Sequence, residues 1–243
     1  MTEWLVRLQG EKFDLEEASI RLSRGDLELR EEDGSYYLTS TEFDSMTDSG
    51  QVLERAKELL RIVNPALKLY IGDYQPVAVD GLVIRVGKDG KWHRYFHAAG
   101  TLTSRGRLRA VGTVVRPEGT AEPPAPLADP VGSLIAIGLQ DEKVALALRL
   151  MGDPRLVKLY NVLEVIESDV GGERALLDTG WAPKGEIKRF KRTVNSMLAV
   201  GEDARHGKEF QPPERRMSPP EAERLLWGIL RPWVETRYET AAR

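Results

Sequence analysis

The chain has 243 residues, of which 41% are hydrophobic and 30% are charged, and its formal net charge is −3. This hydrophobic share excludes a disordered chain, and no apolar run approaches the roughly 20 residues that a membrane helix needs. The absence of cysteine excludes disulfides, thiolate metal sites and cysteine nucleophiles. Because the N-terminus shows no secretory signal, we expect a soluble, cytoplasmic protein with no membrane contact.

The first part of the chain carries the patterns of both strands and helices. Alternating apolar and polar residues predict strands, and Asp-Gly pairs at 33–34 and 89–90 predict hairpin turns between them. The predicted strands are Trp4–Leu8, Asp26–Arg30, Tyr36–Thr39, Val77–Val86, Trp92–Ala98 and Leu108–Val115. Helical periodicity occurs at Leu15–Leu22 and Ser49–Val63. We therefore predict an α+β domain with a largely antiparallel sheet over residues 1–115.

A proline-rich stretch follows this domain. Residues 116–132 contain five of the 14 prolines. Proline fixes φ and lacks an N–H donor, so such a run neither extends a helix nor joins a central strand. We interpret residues 116–132 as a semi-rigid linker.

The remainder, residues 133–243, is predicted to be an all-α helical bundle. Apolar periodicity indicates helices over Asp141–Met151, from Asp153-Pro154 to Val170, and over about Gly185–Val200, with Met197 on the buried face of the last. The final helix begins at a capping box, Ser218-Pro219-Pro220-Glu221. Pro232 is expected to kink or end that helix.

Two of the three histidines, His93 and His97, lie in the predicted strand Trp92–Ala98. On a strand they lie about 13 Å apart, which is too far to share one metal ion. His93, Tyr95 and His97 would face one side of the sheet, and Trp92, Arg94 and Phe96 the other. Two interpretations stay open: aromatic rings that stack bases beside cations that bind phosphates, or rings that form the core side of the sheet.

The third histidine, His206, lies in a loop in the basic part of the chain. Residues 181–216 carry 9 basic and 5 acidic residues, whereas residues 1–60 carry 7 basic and 15 acidic residues. The basic residues of interest are Lys188, Arg189, Lys191, Arg192 and Arg205. Three roles for His206 stay open. It is a structural residue, or it contacts nucleic acid, or it acts as an acid or base in phosphodiester cleavage while an arginine stabilises the developing charge. The sequence has no GxGxxG, Walker A, GxSxG or HExxH motif, and we expect no cofactor.

The helical half resembles the HEPN-like bundles of uncharacterised bacterial proteins over about residues 134–240. The resemblance lies in Leu159–Gly171, in Asn195, in Ala204-Arg205-His206-Gly207, in Met217-Ser218 and in the leucine-rich helix that ends at Trp233. It implies a bundle of four or five helices, often dimeric, with a role in toxin or antiphage defence systems. Many such domains cut RNA without metal through an Arg-x(4–6)-His motif. Here residues 199–201 hold no arginine, so that motif is absent before His206.

Three functional hypotheses follow from these features. The first is a two-domain interaction or RNA-binding protein of bacterial defence, with Lys188, Arg189, Lys191, Arg192, Arg205 and His206 as its nucleic-acid surface. The second is a metal-independent ribonuclease that uses His206 and Arg205. The third is a scaffold whose acidic first half binds a protein partner. The resemblance also predicts a homodimer through the helical bundle.

Overall fold

The computed structural model describes residues 3–23, 25–87, 89–97, 130–201, 204–205 and 211–241. The described residues form two compact units. The sheet unit lies within Met1–Lys57 and Val77–Ser133, and the helical unit lies within Glu58–Pro76 and Leu134–Arg243. The predicted α+β class is confirmed. Residues 58–76 belong to the helical unit although they precede the proline-rich stretch, and the predicted strand Leu108–Val115 lies outside the described residues.

The sheet unit contains five strands in the spatial order β2-β3-β1-β4-β5, and all neighbouring strands are antiparallel. The strands are β1 Glu3–Gln9, β2 Leu27–Glu32, β3 Ser35–Ser40, β4 Ala78–Val86 and β5 Trp92–Phe96. The first strand of the chain therefore lies at the centre of the sheet. Within the described residues, β2 and β5 are the two edges.

Both predicted hairpins are present. Glu32 pairs with Ser35, and the two residues between them, Asp33 and Gly34, have φ values of 50° and 74°. A two-residue hairpin turn whose twist matches that of the strands requires positive φ at both central residues. Asp-Gly is a preferred sequence for this turn. The longer β4–β5 turn contains Gly90 with a φ of 74°. The two turns were predictable because each depends on a local backbone conformation.

Apolar side chains occupy both faces of the sheet. On one face, the Trp4 indole donates a hydrogen bond of 3.0 Å to the Met46 carbonyl, which follows the 3₁₀ helix Thr41–Ser45. On the other face, a buried cluster comprises Leu5, Tyr37, Leu82 and Ile84, with Val86 and Trp92 packed against it. Helix α1, Lys12–Arg21, packs beside β2. This two-sided burial explains the weak polar alternation of β4.

Helix α2 runs from Ser49 to Tyr70 and is seven residues longer than predicted. Pro65 lies inside it and removes one backbone hydrogen bond, at a cost of about 3 kcal/mol. Burial of Ala66, Leu67 and Leu69 opposes this cost, since a fully buried leucine contributes about 1.5–3 kcal/mol. Arg231 also donates a hydrogen bond of 2.6 Å to the carbonyl of Leu69 in the last turn. Packing therefore continues the helix past a residue that usually ends one.

The described helices of the C-terminal part are seven in number. They are α3 Pro130–Gln140, α4 Glu142–Met151, α5 Leu156–Val170, α6 Glu173–Thr179, α7 Lys184–Val194, α8 Met197–Val200 and α9 Pro219–Ala241. Helices α3 and α6 were not predicted, and α3 begins inside the expected linker. No helix among the described residues combines the length and the apolar composition needed to cross a membrane.

Three details of the predicted helices are wrong. Helix α5 begins at Leu156 rather than at Pro154, because the Asp153 carboxylate accepts hydrogen bonds from the backbone and side chain of Arg155. The single helix expected over 185–200 is interrupted at Asn195 and the fully buried Ser196. Met197, predicted to be buried, is 39% exposed after this break.

Helix α9 begins at the predicted capping box and continues through Pro232 to Ala241. The Ser218 N–H donates a hydrogen bond of 2.9 Å to Glu221, whose own N–H donates to the Ser218 hydroxyl at 3.4 Å. The Ser218 N–H and the Ser218 hydroxyl, which donates at 2.9 Å, both bond the Glu221 carboxylate and lower the pKa of Glu221 to about 2. The residues after Pro232, Trp233 and Val234, are buried and the helix continues, so the expected end at Pro232 is wrong and the expected kink stays a prediction.

A network of charges joins α4, α5 and α9 at Asp169. Lys143 donates to its carboxylate at 2.8 Å and the Trp233 indole donates at 2.9 Å, while Arg237 bonds both Asp169 and Asp141. Burial alone would raise the pKa of Asp169, but the hydrogen bonds from Lys143, Arg237 and Trp233 outweigh it and lower the pKa to about 2. The ionised carboxylate is therefore part of the fold.

Replacing Asp169 by asparagine is expected to lower the free energy of unfolding at pH 7 by about 1–2 kcal/mol. Because the folded pKa of Asp169 lies below its unfolded value, its contribution is present above about pH 4 and is lost as the pH falls towards 2. Urea denaturation at several pH values measures this. The exposed Asp178→Asn is the control, and equal acid sensitivity of Asp169→Asn and wild type would contradict the prediction.

Two glycines are expected to respond in opposite directions to alanine. Gly228 lies inside α9 with no atom near the position of an added Cβ, so Gly228→Ala should stabilise the protein by about 0.5–1 kcal/mol. Gly34 has a φ of 74°, and Gly34→Ala should destabilise it by about 1 kcal/mol. Thermal unfolding followed by circular dichroism compares the two, and a shift in the same direction for both would contradict the argument.

Candidate nucleic-acid interface

Four of the predicted basic site residues lie on α7, which buries Ile187, Phe190 and Val194. Two of these cations, Arg189 and Lys191, lie at the border of this buried stripe, and their side chains are 16% and 15% exposed. Each of them pairs with two glutamates.

Lys191 lies between two glutamates. Its ammonium group is 2.6 Å from Glu167 and 3.0 Å from Glu173. Burial alone would lower the pKa of Lys191, but the two carboxylates outweigh it and raise the pKa. Burial raises the pKa of Glu167 in spite of its pairing with Lys191. The charge of Lys191 is therefore neutralised by ion pairs inside the helical unit.

Arg189 is neutralised in the same way. Its guanidinium donates to Glu186 at 2.7 Å and to Glu221 at 3.4 Å. Glu221 also accepts a hydrogen bond of 2.7 Å from Arg215. Through Glu221, Arg189 is linked to the capping box that begins α9, which is a structural role.

The other two predicted site residues on α7 remain at the surface. Lys188 is exposed and makes no ion pair or hydrogen bond with any residue that the structure describes. Arg192 is exposed, and its Nη2 donates a hydrogen bond of 3.4 Å to the Pro212 carbonyl. Of the four predicted site cations on α7, two are thus exposed and have no carboxylate partner among the described residues.

Arg205 is also paired. Its guanidinium donates to Glu164 at 2.6 Å and to the Tyr160 hydroxyl at 3.3 Å, and it lies 4.6 Å from the centre of the Tyr160 ring. His206 lies outside the described residues. The predicted ribonuclease pair of Arg205 and His206 therefore stays a prediction.

Replacing Lys191 by methionine is expected to lower the free energy of unfolding by about 2–3 kcal/mol, because Glu167 and Glu173 lose the cation between them. Lys188→Met on the same helix is the matched control and should change it by less than about 0.5 kcal/mol. Urea denaturation followed by circular dichroism measures both. Equal stability of the two variants would show that Lys191 is not a structural cation.

The β4–β5 hairpin of the sheet unit carries exposed aromatic and basic side chains. Trp92, Arg94 and Phe96 lie opposite Val86, Ile84 and Leu82, so the three side chains share one face, as predicted. We call this row the β5 surface. Its members differ in burial, because Trp92 packs edge-on against Tyr37 with ring centres 6.2 Å apart, whereas Phe96 is 77% exposed.

The face opposite the β5 surface is tied to the core of the unit. The Tyr95 ring centre is 5.8 Å from that of Trp4, and the Arg85 guanidinium lies 5.2 Å over the same indole. His97 and Ser49 share a hydrogen bond of 3.1 Å between Nε2 and Oγ. The core interpretation of the β5 aromatics is therefore right in part for Trp92 and wrong for Phe96.

The backbone of β5 leaves hydrogen-bonding groups along its outer edge. The His97 N–H donates to the Gly81 carbonyl at 2.9 Å, and the Gly87 N–H donates to the Lys91 carbonyl at 2.8 Å. Since bonded and non-bonded pairs alternate in an antiparallel ladder, the N–H and C=O groups of the β5 surface residues point away from β4. Among the described residues they have no backbone partner.

The charges of this hairpin are largely unneutralised. The Arg94 guanidinium lies 5.6 Å over the Trp92 ring, and neither Arg94 nor Arg85 has a carboxylate partner within the described parts of the chain. Lys91 pairs with Asp89 at 3.2 Å in the exposed turn. The sequence signal for this hairpin is a charge count, because residues 85–97 hold four lysines and arginines and one acidic residue. The charge counts over residues 1–60 and 181–216 do not include this hairpin and therefore do not indicate a basic surface there.

Comparison with protein-family models, curated proteins and solved structures found no match for this chain. The resemblance to HEPN-like bundles therefore stays a prediction. The arguments about function rest on the side chains themselves.

Proposed function

We propose that this protein binds RNA, and that the β5 surface makes the contact. The observation that carries the proposal is the exposed Phe96 ring on the same strand face as Arg94, a cation with no carboxylate partner among the described residues. Single strands are bound by this combination, in which aromatic rings stack bases and cations meet phosphates.

The distribution of charge in the sheet unit supports this choice. The acidic side chains of β2, Glu28, Glu31 and Glu32, lie at the opposite edge of the sheet from β5. Four strand spacings of about 4.8 Å separate these edges by about 19 Å, which exceeds the screening length of about 8 Å at physiological salt. These three carboxylates of β2 therefore do not cancel the positive charge at the β5 surface.

The cations of α7 give weaker support for a nucleic-acid surface on the helical unit. Arg189, Lys191 and Arg205 are each paired with glutamates, and binding a phosphate would require breaking these pairs. Breaking a half-buried pair leaves an uncompensated carboxylate behind. Lys188 and Arg192 remain available, but no exposed aromatic ring accompanies them on α7.

Fluorescence anisotropy with a labelled RNA of about 20 unpaired nucleotides tests the proposal. Wild type should bind at 25 mM salt and lose affinity as salt rises, because phosphate contacts release counterions. Arg94→Gln should weaken binding about tenfold and reduce the slope of log affinity against log salt by about 0.7, the value for one contact to a single strand.

Lys188→Gln is the matched control, because it removes one exposed, unpaired cation from the helical unit. It should leave the affinity within about twofold of wild type. Absence of binding by wild type at 25 mM salt would overturn the proposal. A loss with Lys188→Gln that equals the loss with Arg94→Gln would show that the contact does not depend on the β5 surface.

A further inference from the structure

From the geometry of the β5 surface we infer that the ligand is single-stranded and that one of its bases stacks on the Phe96 ring. This inference rests on the proposed function and specifies its ligand. It concerns the order of three side chains along an edge strand: Trp92, Arg94 and Phe96.

Phe96 is the open ring of the three. It is the last residue of β5 and 77% exposed, whereas the Trp92 ring packs edge-on against Tyr37 and carries the Arg94 guanidinium at 5.6 Å from its centre. Burying a phenylalanine side chain would stabilise the folded protein by about 1.5–3 kcal/mol, and the exposed Phe96 ring does not make this contribution. A nucleobase, which is flat and aromatic, covers such a ring in a way that a phosphate does not.

Arg94 lies two positions before Phe96 on the same face, at a distance along the strand of about 6.6 Å. A cation at this distance can meet the phosphate of a nucleotide whose base lies on the ring. The outward N–H groups of the same strand, which have no backbone partner in the described part of the chain, supply further donors, and backbone N–H groups commonly bind phosphate and sugar oxygens. The edge of β5 therefore provides stacking and phosphate contacts in one row.

This arrangement selects against a duplex. In a double helix the bases stack on one another, so they cannot cover an isolated ring on a protein surface without being unstacked. A duplex would contact only the cations of the hairpin. Because a phenyl ring offers no hydrogen-bonding group, we also expect little preference among bases at this position.

The test compares one labelled 12-nucleotide RNA, free and annealed to its complement, by anisotropy at 50 mM salt. Wild type should bind the single strand at least tenfold more tightly than the duplex. Phe96→Leu keeps an apolar side chain and removes the ring, and it should weaken single-strand binding about fivefold to tenfold without changing duplex binding. Phe96→Trp keeps a ring and should retain the wild-type affinity.

Ile20→Ala is the matched control, because Ile20 is a 63% exposed apolar residue elsewhere in the sheet unit. It should leave both affinities unchanged, and unaltered thermal unfolding of every variant will show that the fold is intact. Equal binding of single strand and duplex, or wild-type affinity in Phe96→Leu, would overturn the inference. If Arg94→Gln still weakens binding in that case, the proposed function stands. Absence of binding to either RNA would overturn both.

Discussion

Pairing of cations with carboxylates from neighbouring helices decides which charges of the helical unit can meet a ligand. Lys191 is held by Glu167 and Glu173, and Arg205 is held by Glu164. Carboxylates and cations that pack beside a buried stripe must neutralise each other, because an unpaired charge there is costly. The same requirement shapes the network around Asp169. Three of the cations in residues 181–216, Arg189, Lys191 and Arg205, thus form ion pairs with glutamates of the same unit.

The sheet unit combines ion pairs between strands, Arg7 with Asp80 and Arg30 with Glu3, with two cations of the β4–β5 hairpin, Arg85 and Arg94, that have no carboxylate partner among the described residues. Central placement of β1 puts the acidic strand β2 and the basic, aromatic strand β5 at opposite edges. Arg94 and Phe96 consequently have no described carboxylate or apolar side chain that covers them fully. A surface with unneutralised cations and an open ring fits an anionic, aromatic ligand, which is the physical basis for proposing RNA.

Features that depend on a few neighbouring residues were predictable. The Asp33-Gly34 turn and the Ser218–Glu221 capping box are local structures, and alternation of side chains correctly assigned Arg94 and Phe96 to one face. Features that depend on distant packing were not. Pro65 and Pro232 both lie inside helices, because burial of the following residues outweighs the lost hydrogen bonds. For the candidate site, the sequence predicted that Arg94 and Phe96 share one face of β5, but it did not predict that Phe96 is exposed.

The sequence by itself determined the α+β class, the hairpins, the capping box of α9 and the aromatic-basic pattern of β5, since each follows from local conformation or periodicity. Only the tertiary structure decided that Lys191 and Arg205 are paired while Arg94 has no described carboxylate partner. A charge count gives the number of cations in a segment, but their availability depends on which carboxylates the fold brings within about 3 Å. That distance joins residues far apart in the chain, such as Lys191 and Glu167, and periodicity carries no information about it.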